Sequence, residues 1–119
     1  MRRSLLIVED VDLDRDLLVQ IFQDRYELGL AADGETAVEL TETFGPDLIL
    51  MDIGLPGMSG LEAVRRIRAT STVPIIAVSS RVMPGDREEA LEAGCDDFVA
   101  KPIDDVALME MVDRLMERR

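Results

Sequence analysis

The sequence predicts one α/β domain, in which helices cover both faces of a five-stranded parallel sheet. Strand-like and helix-like segments alternate five times along the 119 residues. Three of the strand-like segments are continuous apolar runs, which is typical of strands buried on both faces. Short connections between such units form right-handed crossovers, so the strands should be parallel. A chain of this length suits a single core, and we assign one domain to residues 1–119.

The strands are expected where an apolar or alternating run lies between turn-forming residues. The predicted ranges are Ser4–Val8, Tyr26–Ala31, Asp47–Met51, Pro74–Val78 and Asp97–Ala100. The second of them alternates apolar residues with glutamate and glycine, which indicates a strand at the edge of the sheet.

Each of the first three helices is preceded by a residue that can cap a helix amino terminus. Asp12, Asp33 and Ser59 occupy these positions, and Glu62 follows Ser59 at the spacing of a capping box. Apolar residues at helical spacing predict the face of the first helix that packs on the sheet. These residues are Leu13, Leu17, Leu18, Ile21 and Phe22.

The last two helices are expected from about Pro84 to Gly94 and from about Asp105 to Glu117. The fifth helix is apolar on more than one side, through Val106, Leu108, Met109, Met111, Val112, Leu115 and Met116. Core packing needs only one apolar stripe. The remainder either packs against a neighbouring helix, which we favour, or contacts a partner or a second copy of the chain.

Composition excludes several classes of function. Acids outnumber bases 25 to 13, and the net charge of -12 opposes binding to nucleic acid or to an anionic membrane surface. The absence of histidine excludes a phosphohistidine, a histidine-ligated zinc site and a histidine-based triad.

No apolar run approaches the ~20 residues of a membrane helix and no signal-peptide pattern is present, so we expect a cytoplasmic protein. Cys95 is the only cysteine, which excludes an intramolecular disulfide, and we expect it to be a small, partly buried thiol.

Chemically active side chains lie where the predicted strands end. Glu9 and Asp10 follow the first strand, Asp52 the third, Ser79 the fourth and Lys101 the fifth. In an open parallel sheet, ligands bind outside the carboxyl ends of the strands. Each of these residues alone is more often a helix cap, a turn residue or a surface charge. Together, three acids, a hydroxyl and an ammonium indicate a site for Mg²⁺ and a phosphoryl group.

The residue types assign roles within this site. Mg²⁺ prefers oxygen ligands and retains several waters, so Asp10 and Asp52 can bind it directly. The backbone carbonyl of Gly54 could supply a third oxygen, and Glu9 is expected to hold a metal-bound water. Asp52 is the expected phosphoacceptor, because a carboxylate can attack phosphorus to form an aspartyl phosphate. The lysine ammonium would neutralise charge on the phosphoryl oxygens, and the serine hydroxyl would donate a hydrogen bond to one of them.

These motifs resemble the receiver domain of two-component response regulators. The segment Ile7–Asp10 looks like the acidic pair of its first strand, and Leu48–Gly60 is similar to its phosphoacceptor strand and following loop. Pro74–Ser79 matches the strand that ends in the switch hydroxyl, and Gly94–Pro102 matches the last strand. The resemblance covers the whole chain. It implies a flavodoxin-like, doubly wound sheet with strand order 2-1-3-4-5.

The resemblance also implies partners and a switch. A sensor histidine kinase or a histidine phosphotransfer protein would phosphorylate Asp52, and small phosphodonors would do so as well. The domain would not be an enzyme, apart from weak self-phosphorylation and self-dephosphorylation. Ser79 and Phe98 would move together upon phosphorylation, and the peptide before Pro102 would be cis. The fourth helix, fifth strand and fifth helix would signal to an unknown effector, and a phosphorylation-dependent homodimer is one form that this output could take.

The chain departs mildly from the pattern of this family. Ser79 replaces the commoner threonine but keeps the hydroxyl, and Ser80 stands where alanine is usual and could narrow access to the phosphate. Phe98 lacks the hydroxyl of the commoner tyrosine, which rules out a hydrogen bond from that ring. Gly54 and Arg81 occupy positions that are tied in this family to the speed of self-dephosphorylation.

Alternative functions are weaker. An Mg²⁺-dependent phosphatase of the haloacid-dehalogenase type would need a second aspartate at Gly54 and a cap domain. A flavin or nucleotide carrier would need a glycine-rich phosphate loop, and the segment Glu9–Asp12 would instead repel phosphate. A degenerate receiver would not be expected to retain the whole acidic site. The chain carries no output domain, so it is either a stand-alone receiver or a part of a longer regulator or hybrid kinase, and its start at Met1–Ser4 favours a native amino terminus.

Overall fold

The computed structural model describes residues 2–80 and 82–117 as one α/β domain. The strands are β1 (Ser4–Val8), β2 (Glu27–Ala31), β3 (Leu48–Asp52), β4 (Ile75–Ser79) and β5 (Asp97–Ala100). The helices are α1 (Asp12–Phe22), α2 (Gly34–Thr43), α3 (Gly60–Arg68), α4 (Asp86–Ala93) and α5 (Asp105–Glu117). Every predicted strand is present, with ends that differ by about one residue at most. Within the described ranges, no helix has the length and apolarity needed to cross a bilayer.

The five strands form one parallel sheet in the order β2-β1-β3-β4-β5, which confirms the predicted topology. β2 lies at one edge, as its alternating sequence predicted, and β5 lies at the other. The winding reverses between β1 and β3, so the crossover helices are distributed over both faces. Since all strands are parallel, their carboxyl ends meet at one end of the sheet, where the predicted site residues lie.

The core consists of two apolar layers, one on each face of the sheet. Successive side chains of a strand point to opposite faces, so alternate residues enter different layers. Leu6, Ile49 and Met51 pack with residues of α2, α3 and α4, whereas Leu5 and Leu50 pack with residues of α1 and α5. This double coverage explains why β1, β3 and β4 are continuous apolar runs in the sequence.

Two of the predicted helix caps are confirmed. The Asp33 carboxylate accepts a hydrogen bond from Thr36 N (2.7 Å) at the start of α2. The Ser59 hydroxyl accepts one from Glu62 N (3.1 Å) at the start of α3. Both caps satisfy backbone donors that have no partner within the helix.

Two helix starts differ from the prediction. α1 begins at Asp12 itself, so the N-cap position falls on Val11, whose side chain has no hydrogen-bond acceptor. The Asp12 carboxylate instead pairs with an arginine three residues later (2.5 Å). α4 begins at Asp86 rather than near Pro84, because Gly85 has a φ of +93°, which lies outside the right-handed helical region.

The predicted inward face of α1 is only partly correct. Leu18 and Phe22 are buried against the sheet, whereas Leu13 and Leu17 are exposed, Leu13 by 80%. α1 has more apolar residues than the single stripe that contacts the sheet, and periodicity alone does not show which of them belong to that stripe. On α5, Val106 is also exposed, by 59%. The buried residues of α5 are Leu108, Val112, Leu115 and Met116.

At the amino-terminal end of the strands, Arg68 connects the end of α3 to β4 and β5. Its guanidinium donates hydrogen bonds to Gly94 O (2.8 Å), to Val73 O and to the Asp96 carboxylate (2.8 Å). The same carboxylate oxygen accepts a hydrogen bond from Ile75 N (2.8 Å). Gly94 has a φ of +121°, and a Cβ there would lie 2.6 Å from Arg68 Cγ, so both the backbone and this contact require glycine.

Candidate functional site

Main-chain hydrogen bonds hold the strand ends that carry the predicted site residues. They extend the parallel ladder one residue beyond β1, β3 and β5. The bonds run from Glu9 N to Ala31 O (2.9 Å), from Ile53 N to Val78 O (3.0 Å) and from Lys101 N to Ser79 O (2.8 Å). The first residue after each of these strands is therefore held in register with the neighbouring strand.

Three carboxylates converge at this end of the sheet. One oxygen from each of Glu9, Asp10 and Asp52 lies within 4.8 Å of the other two. Glu9 is only 1% exposed and Asp52 only 7%, while Asp10 is half-buried. Gly54 N donates a hydrogen bond to Asp52 Oδ1 (2.8 Å), which orients that carboxylate. Carboxylate oxygens are the ligands that Mg²⁺ prefers, so the residues present fit a magnesium ion.

A single ammonium group lies among the carboxylates. Lys101 Nζ is 2.6 Å from Glu9 Oε1, 2.9 Å from Asp14 Oδ2 and 3.5 Å from Asp52 Oδ2. Burial alone would lower the pKa of Lys101, but its hydrogen bonds to Glu9 and Asp14 outweigh burial and raise that pKa above its ordinary value. Lys101 is therefore charged at neutral pH.

The crowding of negative charge changes the proton affinity of Glu9. Burial and the close approach of Asp52 raise the pKa of Glu9 from 4.5 to about 7. Hydrogen bonds from Lys101 and from Val11 N act in the opposite direction and do not cancel this rise. A divalent cation among these oxygens would offset the same excess of negative charge, which is a second reason that the site fits Mg²⁺.

A cavity of ≈ 440 Å³ lies between the loop after β3, the end of β4 and helix α4. Gly54, Ser79 and Ser80 line it, together with the acidic residues Asp86 and Glu89 of α4. Ser79 is buried and Ser80 is exposed. The cavity adjoins the acidic cluster through Gly54, whose N–H binds the carboxylate of the candidate phosphoacceptor.

The last strand carries two further residues that the sequence singled out. Phe98 is half-buried and packs against the apolar layer under α2, α3 and α4. The peptide bond between Lys101 and Pro102 is cis. The aromatic ring therefore lies on the same face of the sheet as α4, and the ammonium lies at the end of the sheet among the acids.

Four of the predicted side chains, those of Glu9, Asp10, Asp52 and Lys101, form one cluster, and a further acid joins them. Sequence reasoning missed Asp14, which binds Lys101. This residue follows no strand; it lies in the first turn of α1, and only the approach of α1 to the end of β5 reveals the pair. The position of Arg81 falls outside the part of the chain that the structure describes.

Sequence comparisons identify relatives of this chain. The family model of the response regulator receiver domain matches residues 5–113. Response regulator PleD of Caulobacter vibrioides is 35% identical over 119 residues, which is 97% of this chain and 26% of PleD. Sensory transduction protein RegX3 of Mycolicibacterium smegmatis is 36% identical over 116 residues, which is 97% of this chain and 51% of RegX3. The chain thus spans between a quarter and half of the length of these curated relatives.

Solved structures share the fold along nearly the whole chain. The receiver domain of sensor histidine kinase PA1611 from Pseudomonas aeruginosa, with a magnesium ion coordinated in its active-site cleft, has a TM-score of 0.90 and 36% identity and covers 98% of this chain and 99% of its own. Chemotaxis protein CheY4 of Vibrio cholerae has a TM-score of 0.90 and 27% identity and covers 97% of this chain and 99% of its own. These matches give no support to a haloacid-dehalogenase phosphatase. The chain belongs to the response regulator receiver domain family, whose members are phosphoacceptor modules of two-component signalling rather than classical enzymes.

Proposed function

We propose that Asp52 of this chain accepts a phosphoryl group in an Mg²⁺-dependent reaction. The observation that carries this proposal is the setting of the Asp52 carboxylate. One oxygen binds Gly54 N, the other lies 3.5 Å from Lys101 Nζ, and the carboxylates of Glu9 and Asp10 complete an oxygen cluster beside it. An oriented carboxylate, a cluster of oxygens suited to a cation and a positive charge beside them together support this proposal.

The donor is proposed to be a phosphohistidine on a sensor histidine kinase or on a histidine phosphotransfer protein. An oxygen of Asp52 forms a bond to phosphorus while the bond between phosphorus and the imidazole nitrogen breaks, and the imidazole leaves with the electron pair of that bond. Catalysis of such a transfer is mainly placement and charge neutralisation. The chain's own contributions are the oriented carboxylate of Asp52 and the ammonium of Lys101.

We propose that Asp10, Asp52 and the carbonyl of Gly54 hold Mg²⁺ directly and that Glu9 holds one of its water ligands. When bound, the ion supplies positive charge to the oxygens of the transferring group. The close carboxylate oxygens and the raised pKa of Glu9 support this assignment, as does the magnesium ion in the cleft of the PA1611 receiver domain.

The switch is proposed to begin at Ser79. Its hydroxyl would donate a hydrogen bond to the phosphoryl group, Ser80 would limit access from the cavity, and Phe98 would turn further inward toward the core beside α4. The output surface is then formed by α4, β5 and α5, where Val106 leaves apolar area exposed for an effector or a second copy of the chain. We propose that residues 1–119 form a receiver module and that this module meets its kinase in the cytoplasm.

The test is intact mass spectrometry of the chain after incubation with acetyl phosphate, with Mg²⁺ or with a chelator. We expect a gain of one phosphoryl group that requires Mg²⁺ and is absent from Asp52→Asn. Asp24→Asn is the matched control, because Asp24 is exposed and lies at the opposite end of the molecule, in the turn after α1. Labelling of Asp52→Asn at the level of the wild type would show that Asp52 is not the acceptor, and labelling without Mg²⁺ would refute the metal requirement.

A further inference from the structure

The ammonium of Lys101 has a partner that the proposed phosphoryl chemistry does not use. Its three N–H donors face three carboxylates, of which Glu9 and Asp14 lie within hydrogen-bond distance, at 2.6 and 2.9 Å. Asp52 lies at 3.5 Å, beyond a good hydrogen bond. Lys101 is thus held between the end of β1 and the first turn of α1, and its contact with the candidate phosphoacceptor is a longer ion pair.

The helix turn that carries Asp14 is held by hydrogen bonds in which Lys101 takes no direct part. The start of α1 is fixed to the end of β1 by a hydrogen bond from Arg15 Nη1 to Glu9 O (3.0 Å) and by another from Val11 N to Glu9 Oε2 (3.2 Å). Because these bonds anchor the residues on both sides of it, Asp14 presents its carboxylate to the ammonium from a fixed helix turn. Lys101, on a long side chain, is the mobile member of the pair.

The two carboxylates that pair with Lys101 differ in the energetic cost of losing the ammonium. The Glu9 side chain is 1% exposed, so loss of its ammonium partner would leave a buried carboxylate without compensation. The Asp14 side chain is 41% exposed, so water can replace the ammonium there at little cost. An acceptor that competes for Lys101 will therefore displace Asp14 first.

We propose that Asp14 is a positioning residue that holds Lys101 on the α1 side of the site until a phosphoryl group on Asp52 displaces it. The proposal rests on the proposed function of Asp52. It makes Lys101 a link between the phosphoryl site and α1. When the ammonium turns toward the phosphoryl oxygens, the contact between Lys101, which follows β5, and Asp14 in the first turn of α1 is lost. That contact borders a cavity of ≈ 160 Å³ formed with Leu17, Pro102 and Ile103, so its loss would alter this part of the surface.

The proposal predicts the direction of a charge-neutral substitution. In Asp14→Asn the ammonium is released from a competing carboxylate, so the phosphorylated form should gain relative to the resting form. An ion pair with a partly exposed carboxylate is weak, so we expect the gain to be about two- to five-fold. Asp16→Asn is the matched control: it removes the same charge from an exposed position on the same helix and thereby measures the general effect of the local negative field.

The experiment uses the phosphoryl mimic beryllofluoride at saturating Mg²⁺. Lys101 is the only lysine in the sequence, so lysine labelled with ¹³C and ¹⁵N gives one side-chain ammonium signal to follow. We expect the mimic to bind Asp14→Asn about two- to five-fold more tightly than the wild type, and to bind Asp16→Asn with a smaller change. The Lys101 signal of the free Asp14→Asn protein should also be shifted toward its position in the mimic-bound wild type, which a purely structural role would not produce. Asp14→Ser should reproduce both effects.

If Asp14→Asn and Asp16→Asn changed the affinity for the mimic equally, the role of Asp14 would be refuted. The change would then come only from the removal of one negative charge near the site. A Lys101 signal that is the same in free wild type and free Asp14→Asn would refute the role of Asp14 as well. Both results leave the proposed function intact, since the mimic still binds. Absence of Mg²⁺-dependent binding to the wild type, together with absence of phosphorylation by acetyl phosphate, would overturn the proposed function and with it the role of Asp14.

Discussion

Replacing Glu9 by glutamine should remove a pH dependence of stability that the acidic cluster imposes. The pKa of Glu9 rises from 4.5 to about 7 on folding, because of burial and the nearby Asp52 carboxylate. Between these two values the folded chain retains a proton that the unfolded chain has lost, so stability falls as the pH increases. At about 1.4 kcal/mol for each pH unit, the metal-free wild type should lose about 3 kcal/mol by pH 8 relative to pH 4.5. Solvent screening does little to reduce this value, since Glu9 is 1% exposed.

The assay is urea denaturation of wild type and Glu9→Gln in a chelating buffer at several values between about pH 5 and pH 8. Other acids also titrate over this range, so the informative quantity is the difference between the two proteins. We expect Glu9→Gln to be close to the wild type near pH 5, where Glu9 is protonated, and more stable by about 2–3 kcal/mol near pH 8. Saturating Mg²⁺ should reduce this difference, because the ion compensates the charge of Glu9 only in the wild type.

Parallel stability curves for the two proteins would refute the reasoning, since they would show that Glu9 has the same proton affinity folded and unfolded. If the wild type instead became more stable than Glu9→Gln as the pH rose, folding would lower the pKa of Glu9 rather than raise it. That result would mean that the ammonium of Lys101 outweighs burial and the Asp52 carboxylate. A difference that Mg²⁺ leaves unchanged would separate Glu9 from the metal site.

Two further predictions concern the opposite end of the sheet. Arg68→Ala should lower the free energy of unfolding by about 2–3 kcal/mol, since it removes hydrogen bonds to Gly94 O, Val73 O and the Asp96 carboxylate. Urea titration measures this loss. The control is Arg65→Ala, at an exposed position, which should change the free energy of unfolding by less than about 0.5 kcal/mol. Burial raises the pKa of Cys95 to about 11, so at pH 8 only about one thiol in a thousand is ionised in the folded chain. A thiol-alkylating reagent should therefore label the native chain at least about a hundred-fold more slowly than the chain in urea, and comparable rates would contradict the buried position of Cys95.

The parts of the fold that the sequence predicts well are those governed by local chemistry. β1, β3 and β4 were recognised because double coverage by helices selects continuous apolar runs. Asp33 and Ser59 were recognised as caps because a short polar acceptor before a helix can bind the free N–H groups of its first turn. The acidic cluster could be expected because parallel strands bring their carboxyl ends to one edge of the sheet. The close approach of its carboxylates also requires β1 and β3 to be neighbours, as the strand order implied by the family resemblance has them.

The remaining features depend on how elements approach one another. Leu13 has the same helical spacing from Leu17 as core residues have, yet both are exposed, because the sheet covers only one stripe of α1. Asp14 and Lys101 are 87 residues apart, and nothing in either local sequence indicates their pairing. The hydrogen bonds of Arg68 likewise join α3 to the ends of two strands. Such contacts are set by tertiary packing and not by periodicity.

The strand-end hydrogen bonds have a consequence for how accurately the site is built. Glu9 and Lys101 each donate a backbone N–H to the adjacent strand, and Asp52 and Ser79 are themselves strand residues. The separations among the backbone positions of these four residues are therefore set by the spacing of neighbouring strands, about 4.8 Å, and they vary only as much as a sheet can deform. An ion and a phosphoryl group can enter and leave such a frame with little reorganisation of the main chain, which keeps the energetic cost of each exchange small. The motion that transmits a signal must then occur in side chains and loops, while the strands of the sheet stay in place.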